Sequence, residues 1–199
     1  MDIVNILFCG IGGQGILTSS RVLALAAMHA GLDVKVSEVH GMSQRGGNVD
    51  THVRIGRDVP SSLIPRGAAH VLIAFEKLEA LRYLDYLRPD GVAIVCPLEI
   101  PPLSLSLKKD SAYVPNIDGH LAQRAPLLLM VEADRMAREV GDSRMVNVIL
   151  LGALASQFPA IGREHWTAAI RDRFGEARAD ACLRAFEKGV ESVAVNPRA

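Results

Sequence analysis

The segment DIVNILFCGIGGQGILTSSRVLALAAMHA, residues 2–30, joins an apolar run to a glycine-rich turn and then to a stretch rich in alanine and leucine. The apolar run predicts a buried strand at residues 2–9. The stretch after the turn predicts a helix at residues 14–30, which Gly31 closes at its C-terminal end. A buried strand that passes through glycines into a helix is typical of α/β folds with crossover connections.

The glycine turn reads GIGGQG, so Gly10, Gly12 and Gly15 have the spacing G-x-G-x-x-G. Free amide N–H groups at the start of a helix favour a phosphate or another anion. Glycines also allow the tight packing of a strand–helix crossover, so a purely structural turn stays open as an alternative. Gly13 and Gln14 depart from the usual dinucleotide fingerprint, and we therefore favour anion binding over NAD or FAD binding.

The second glycine-bearing tract, EVHGMSQRGGNV, covers residues 38–49 and begins at the end of a predicted strand at residues 34–39. Its donors suit an anion or a planar oxygen-rich group, and its glycines allow a close approach. For Arg45, an ion pair with a neighbouring carboxylate is an equally supported alternative. Because both tracts follow strands, we predict that they form one site from adjacent loops. The candidate residues of the second tract are Ser43, Gln44, Arg45, Gly46 and Gly47.

Four other residues near these tracts are candidates for chemistry. Glu38 ends the second predicted strand, where a dinucleotide-binding protein places its ribose-binding acid. We interpret His40 as a hydrogen-bonded loop residue and His52 as a surface residue on a half-exposed, antiparallel strand at residues 49–55. For Cys9 we predict a buried, inert thiol, with a lowered pKa beside the helix N-terminus as the alternative.

The remaining pattern alternates between short apolar strands and helices. The helix predicted at residues 144–158 is apolar nearly all round, so it must be buried, either centrally or in a subunit interface. A Pro-Asp-Gly turn is predicted at residues 89–91 and a loop at residues 97–115. The other predicted strands cover residues 71–75, 92–96 and 127–131, and the other helices cover residues 76–87, 133–140, 163–174 and 177–195.

Together these elements predict a three-layer, Rossmann-like α/β fold, with a mostly parallel sheet, helices on both of its faces and a helical C-terminal region. We assign residues 1–199 to a single domain. Its core sheet covers residues 1–132 and its helical C-terminal part covers residues 133–195.

The composition argues against several classes of function. The 199 residues carry 22 Lys and Arg against 22 Asp and Glu, which argues against nucleic acid or a membrane as a partner. No apolar run reaches the roughly 18 residues of a membrane span and no signal peptide is predicted, so we expect a cytoplasmic protein. Cys9, Cys96 and Cys182 are too few and too scattered for an iron–sulfur cluster or a CxxC zinc site. Neither metal ligands nor catalytic residues are predicted.

The motifs GIGGQG and SEVHGMSQRGGNV closely resemble those of the gamma-type subunit or domain of 2-oxoacid:ferredoxin oxidoreductases. Within that family, the segment HGMSQRGG is most similar to the corresponding segment of the members that act on indolepyruvate. The resemblance spans most of the chain, because the length fits a stand-alone subunit and Asn147 and Gly152 match the family's NxxxLG helix.

The resemblance implies a subunit of an enzyme that oxidatively decarboxylates a 2-oxoacid, forms an acyl-CoA and passes electrons to ferredoxin. Thiamine diphosphate and the iron–sulfur clusters would lie on a larger partner subunit, so this chain would hold none of them and would be inactive alone. The 2-oxoacid and coenzyme A would bind at a shared site, with residues 12–15 near a coenzyme A phosphate. Residues 43–47 would line the partner interface or reach toward the substrate. The resemblance is also compatible with a homodimer of the isolated chain.

Two alternatives from other classes stay open. A stand-alone NAD(P)- or FAD-binding oxidoreductase would explain the spacing G-x-G-x-x-G together with Glu38. A non-catalytic scaffold subunit would use its glycine loops only for packing. Ligand binding distinguishes these alternatives, because a ligand that binds only the folded state raises the melting temperature. NADH or FAD should bind the stand-alone oxidoreductase, whereas phosphate and coenzyme A should leave the melting temperature of a scaffold unchanged.

Overall fold

A mixed six-stranded sheet lies at the centre of this computed structural model, which describes residues 2–40, 47–101 and 113–194. The order of the strands in the sheet is β2-β3-β1-β4-β5-β6, numbered along the chain. Their bounds are β1 Val4–Ile11, β2 Asp33–His40, β3 Asn48–Gly56, β4 Ala69–Ala74, β5 Leu87–Val95 and β6 Leu127–Met130. β3 is antiparallel to its neighbours β1 and β2, whereas β1, β4, β5 and β6 pair in parallel. The predicted mostly parallel sheet is confirmed.

Helices follow most of the strands. Their bounds are α1 Ile16–His29, α2 Lys77–Tyr83, α3 Ile117–Arg124, α4 Ala133–Glu139, α5 Val146–Gln157, α6 Arg163–Phe174 and α7 Glu176–Ala194. Short 3-10 helices at Leu84–Tyr86 and Ser143–Met145 precede β5 and α5. Gly31 ends α1 with φ 72°, a left-handed value that glycine adopts without strain, as the sequence predicts.

The side chains of each central strand alternate between two apolar cores. On β1, Ile6 and Phe8 enter the large core beneath α1, α5, α6 and α7. Leu7 and Cys9 enter the small core beneath α2 and α3 on the opposite face. A strand covered on both faces needs a continuous apolar run, which is what the sequence of β1 provides. Helices on both faces of the sheet confirm the predicted fold class.

Helix α5 is buried within the chain itself. Its side chains from Val148 to Leu154 are inaccessible to solvent, and α7 packs directly against it. Gly152 on α5 and Gly189 on α7 permit this close packing, because a Cβ atom on either residue would collide with the backbone of the other helix. Of the two locations predicted for this helix, the central one is confirmed.

The third strand departs from its prediction. Its antiparallel pairing is confirmed, but the half-exposed face is wrong because Asp50 and His52 are buried, like Val53 and Ile55 on the other face. The segment that contains Ile64 covers the polar side of β3 and donates a backbone hydrogen bond to His52. The alternating pattern of β3 therefore reflects two buried environments, one apolar and one polar, rather than one buried and one exposed face.

Two further predictions need correction. Pro89 and Gly91 lie inside β5 rather than in a turn, and the pairing of β5 with β4 shifts register between Ala69 and Val71. The sequence pattern does not predict α3, which begins after Asn116 in the left-handed conformation. Residues 102–112 of the predicted loop lie outside the described residues.

The longest described helix, α7, has 19 residues, and charged side chains interrupt its apolar positions. Within residues 2–40, 47–101 and 113–194, no helix is both long and apolar enough to cross a membrane.

Candidate functional site

The two glycine tracts meet where β1 ends and β3 begins. β1 and β3 pair as far as Ile11 opposite Asn48, and the N–H group of Gly12 then donates a hydrogen bond to the carbonyl oxygen of Gly47 at 2.9 Å. The predicted adjacency of the two loops is confirmed for these residues. Of the second tract's candidates, Ser43, Gln44, Arg45 and Gly46 lie outside the described residues.

The side chain of Gln14 holds the glycine turn together. Its Oε1 atom accepts a hydrogen bond from the N–H group of Ile11 at 2.7 Å, and its Nε2 atom donates to the carbonyl oxygen of Phe75 at 3.1 Å. Gly10 makes room for this arrangement, because a Cβ atom there would lie 2.6 Å from Oε1 of Gln14. The Gln14 amide thus serves the loop itself, and Gln14 lines the neighbouring cleft beside two glycines.

Gly13 and Gly15 shape the backbone at the start of α1. Both have positive φ values, 102° and 85°, which side chains with a Cβ rarely adopt. Asn147 of α5 packs against Gly15, where a Cβ atom would lie 2.7 Å from its Nδ2 atom. Within the described chain, no hydrogen bond uses the N–H groups of Gly13 and Gly15. These donors are therefore available to a bound anion.

A cleft of about 550 Å³ opens at this turn, and we call it the glycine cleft. It lies between the start of α1 and the helical C-terminal region. Its polar lining includes three arginines that come from separate helical segments. Its lining includes Gly13, Gln14, Gly15, Arg144, Asn147, Arg173 and Arg178, together with the carboxylate of Asp134.

The arginines of the glycine cleft differ in how they are paired. Arg144 forms two hydrogen bonds with Asp142, at 2.9 and 2.8 Å, and this contact lowers the pKa of Asp142 to about 2. The guanidinium of Arg173 stands over the ring of Phe174 at 5.7 Å. Among the described residues, no carboxylate lies within ion-pair distance of Arg173 or Arg178, although the charge of Arg178 helps to lower the pKa of Asp142. The cleft therefore combines N–H groups that have no partner among the described residues with guanidinium groups that suit a phosphate.

Glu38 does not occupy the position of a ribose-binding acid. In a dinucleotide-binding fold the second strand lies next to the first, but here β3 separates β2 from β1. Two strand spacings of about 4.8 Å each separate β2 from the glycine turn. Glu38 instead lies 3.5 Å from Arg21 of α1. This arrangement argues against NAD or FAD at the turn.

His52 belongs to a buried hydrogen-bond network, so the predicted surface location is wrong. Asp50 accepts hydrogen bonds from the hydroxyl of Tyr83 at 2.7 Å and from Nε2 of His52 at 3.1 Å. Nδ1 of His52 accepts from the N–H group of Ile64 at 3.0 Å, which leaves the single proton of a neutral ring on Nε2. Asn48 donates to the Tyr83 hydroxyl at 3.2 Å. Nδ1 already accepts the N–H group of Ile64 and the ring is buried, so His52 serves this network and does not present a free nitrogen to a substrate.

The Cys9 thiol is buried, as predicted, and the alternative of a lowered pKa is wrong. Burial, followed by the charges of Glu79, Asp50 and Glu76, raises the pKa of Cys9 well above its ordinary value. His40 closes β2 opposite Val49 rather than lying in the loop. Within the described ranges, no group of three or more His, Cys, Asp or Glu side chains is arranged to hold a metal ion.

The arginines of the glycine cleft and the pair formed by Asp50 and Tyr83 are not predicted from the sequence. Nothing in the local sequence marks Arg144, Arg173 and Arg178, because only the packing of α6 and α7 against α1 and α5 brings them to the turn. Asp50 and His52 alternate with other residues along β3, so they lie on one face of the strand. This pattern would indicate a buried polar network if another segment of the chain were expected to cover that face.

The pyruvate ferredoxin/flavodoxin oxidoreductase family matches residues 5–192 of the chain. The indolepyruvate oxidoreductase subunit IorB of Thermococcus kodakarensis is 39% identical over 194 residues, which cover 94% of this chain and 95% of that subunit. The subunit IorB of Archaeoglobus fulgidus is 40% identical over 190 residues, which cover 94% of this chain and 93% of that subunit.

Two solved structures share the fold. The gamma subunit of a keto/oxoacid ferredoxin oxidoreductase from Geobacter sulfurreducens gives a TM-score of 0.72 at 22% identity, covering 96% of this chain and 99% of that chain. A 2-oxoglutarate:ferredoxin oxidoreductase from Magnetococcus marinus, solved with 2-oxoglutarate, coenzyme A and succinyl-CoA, gives 0.76 at 22% identity, covering 100% of this chain and 32% of that chain. The sequence match, the fold and the two joined glycine tracts agree: the chain belongs to the pyruvate ferredoxin/flavodoxin oxidoreductase family.

Proposed function

We propose that the chain is the non-cluster subunit of a 2-oxoacid:ferredoxin oxidoreductase that acts on indolepyruvate or another aryl 2-oxoacid. The assembled enzyme would oxidatively decarboxylate its substrate, form an acyl-CoA and pass electrons to ferredoxin. Family membership supports the class of enzyme, and relatives of 39% and 40% identity named as indolepyruvate oxidoreductase subunits support the substrate. In a reconstituted complex, kcat/KM for indolepyruvate should exceed that for pyruvate and 2-oxoglutarate, and the opposite order would refute the substrate.

In this proposal the larger subunit holds thiamine diphosphate and the iron–sulfur clusters. The donor set of this chain supports that division, because Cys9, Cys96 and Cys182 are buried and burial raises the pKa of each thiol. Cluster binding needs thiolates, which such burial disfavours. Bound thiamine diphosphate supplies the decarboxylation chemistry. This chain contributes binding energy and excludes water, and it has no activity alone.

The glycine cleft would bind an anionic part of coenzyme A. One observation carries this assignment: Gly13 and Gly15, whose N–H groups have no hydrogen bond within the described ranges, line the same cleft as Arg144, Arg173 and Arg178. A helix N-terminus and guanidinium groups are the donors that phosphate groups prefer in proteins. The volume of about 550 Å³ suits the phosphate-bearing end of the molecule. The rest would extend toward the partner subunit.

The assignment is tested with Arg173→Gln and Arg178→Gln in the reconstituted complex. We expect the double variant to raise the KM for coenzyme A by about tenfold or more, because each charge-assisted hydrogen bond contributes about 1.5–3 kcal/mol. The kcat at saturating coenzyme A should stay unchanged. Arg163→Gln is the matched control, because Arg163 lies on α6 outside the cleft and pairs with Glu187. A double variant with the wild-type KM would refute the coenzyme A site.

The second tract keeps its predicted role within this proposal. Arg45, with Ser43, Gln44, Gly46 and Gly47, would approach the partner subunit or the substrate, and the bond between Gly12 and Gly47 joins the described end of this tract to the glycine turn. Arg45→Ala tests the role. If coenzyme A affinity, 2-oxoacid affinity and subunit assembly all keep wild-type values, the role proposed for Arg45 is wrong.

A scaffold function is the second candidate, because Gly10 and the Gln14 side chain serve the packing of the turn. In that case, coenzyme A and phosphate should not raise the melting temperature of either the chain or the assembled complex. The dinucleotide alternative predicts stoichiometric binding of NADH or FAD to the isolated chain. We expect no such binding, because Glu38 lies two strands from the turn.

A further inference from the structure

A second cavity, of about 520 Å³, lies on the small-core face of the sheet beside β2, and we call it the tyrosine pocket. Its walls contain two aromatic rings, a buried carboxylate and an exposed leucine. The lining residues that matter here are Asn48, Asp50, His52, Leu63, Tyr83 and Tyr86. The glycine cleft shares none of these residues.

The carboxylate of Asp50 has only neutral partners. It accepts hydrogen bonds from the Tyr83 hydroxyl and from His52, whose ring is neutral because Ile64 donates to its other nitrogen. Among the described residues, no lysine or arginine nitrogen lies within ion-pair distance of Asp50. A buried carboxylate without a cation is costly, so a positive group that enters this pocket would be stabilised.

The two arginines at the pocket already have acidic partners. Arg82 lies 3.3 Å from the buried carboxylate of Glu79. Arg66 lies 3.6 Å from Asp85 and stands over the Tyr86 ring at 5.6 Å, with most of its side chain in solvent. The contact of Arg66 with Tyr86 also shows that the aromatic wall accepts a guanidinium group.

We propose that the tyrosine pocket receives a lysine or arginine side chain of the larger oxidoreductase subunit. Its charge pairs with Asp50, and its methylene stem lies against Tyr83 and Tyr86. A protein partner is favoured over a small amine because Val39 and Leu63, which are 43% and 56% exposed, form an apolar rim that only a larger surface covers. The inference rests on the proposed function, which supplies the partner.

The test uses two substitutions at one exposed position, Leu63→Lys and Leu63→Glu. Both remove the same apolar contact and bury nothing, so their difference reports the charge of the incoming group. At low ionic strength we expect the lysine variant to bind the larger subunit at least about tenfold more weakly than the glutamate variant. The difference should shrink as salt screens the charges. Equal affinities, or tighter binding by the lysine variant, would overturn the inference.

Asp50→Asn is the second variant, with Asp90→Asn as its control. Asp90 is an exposed acid on β5 that pairs with Arg88 and does not line the pocket, so its replacement should leave assembly unchanged. We expect Asp50→Asn to weaken assembly by about tenfold. Thermal unfolding of each variant shows whether it is folded.

Two outcomes separate the inference from its premise. If the wild-type chain does not bind the larger subunit, both the proposed function and this partner assignment fail. If it binds but the Leu63 variants assemble equally, only the assignment fails. In that second case, a rise in wild-type melting temperature with arginine amide, absent in Asp50→Asn, would identify the pocket as a small-cation site instead.

Discussion

Gly152 and Gly189 face each other's helix across the contact between α5 and α7. A Cβ atom on Gly152 would collide with the carbonyl oxygen of Phe186, and one on Gly189 would collide with the carbonyl oxygen of Ile149. Both obstacles are backbone atoms, which cannot rotate away as a side chain does. The two glycines therefore set the distance between the helices that enclose the large core.

Replacing either glycine by alanine should destabilise the protein. We expect Gly152→Ala and Gly189→Ala each to lower the free energy of unfolding by about 1–3 kcal/mol, because the added methyl group forces the helices apart. Urea unfolding measures the change. Gly119→Ala on the exposed surface of α3 is the control, since the nearest obstacle there is the movable side chain of Asn116. Losses no larger than the control's would contradict the packing argument.

Gln14→Ala should destabilise the glycine turn. The change leaves the N–H group of Ile11 and the carbonyl oxygen of Phe75 without their partner. Unsatisfied buried groups cost about 1–3 kcal/mol each, so we expect a loss of that order in denaturant unfolding. Gln123→Ala, on the exposed surface of α3, should change stability by less than about 0.5 kcal/mol. A Gln14 variant as stable as this control would show that the side-chain bonds contribute nothing.

Gly15 and Asn147 should be energetically coupled. Gly15→Ala meets two penalties, a φ of 85° that alanine disfavours and a contact with the Asn147 side chain. Asn147→Ala relieves part of the contact but leaves the backbone penalty. In a double-mutant cycle we expect a coupling of about 1 kcal/mol, whereas strictly additive effects would rule out the contact.

The pKa of Asp142 should be visible in the acid dependence of stability. Hydrogen bonds from the side chain and backbone of Arg144 lower this pKa from 3.8 to about 2 in the folded protein. The folded value is the lower one, so the stabilisation is complete above the ordinary carboxyl pKa and is lost as the pH falls toward the folded value.

Asp142→Asn should therefore lose less stability than the wild type when the pH is lowered through this interval. NMR titration of the Asp142 carboxyl carbon measures the folded pKa directly. A midpoint at the ordinary aspartate value would show that the contact with Arg144 does not persist in solution.

Tyr83→Phe should test the buried network around Asp50. The change removes the hydroxyl that donates to Asp50 and accepts from Asn48. We expect the free energy of unfolding to fall by about 1–3 kcal/mol. Tyr86→Phe is a matched control, because the Tyr86 hydroxyl has no hydrogen bond among the described residues. Equal effects of the two changes would mean that the network contributes no stability.

The sequence predicts the elements whose local pattern agrees with their final environment. The apolar run of β1 matches a strand covered on both faces, and the predicted bounds of α6, residues 163–174, are the observed ones. The apolar helix α5 is buried as its composition requires. In these cases, local preference and tertiary packing favour the same structure.

The remaining features depend on contacts between distant segments. His52 alternates with apolar residues as an exposed strand residue would, but Ile64 and the aromatic rings of Tyr83 and Tyr86 cover it. The glycine turn of the candidate site is recognisable from its spacing. Its arginines are not, because they follow from the arrangement of the C-terminal helices rather than from any local pattern.

The two buried faces of β3 have a consequence for how this chain can vary. A slip of one residue in its pairing would place Asp50 and His52 in the large apolar core and Val53 among hydrogen-bonding groups. Burying a carboxylate without partners costs several kcal/mol, so the shifted register would be less stable than the observed one. The two faces of β3 thus set its alignment with β1 and β2. In the function proposed above, substitutions in residues 41–46 would change what the subunit recognises, while the two faces of β3 keep its place in the sheet.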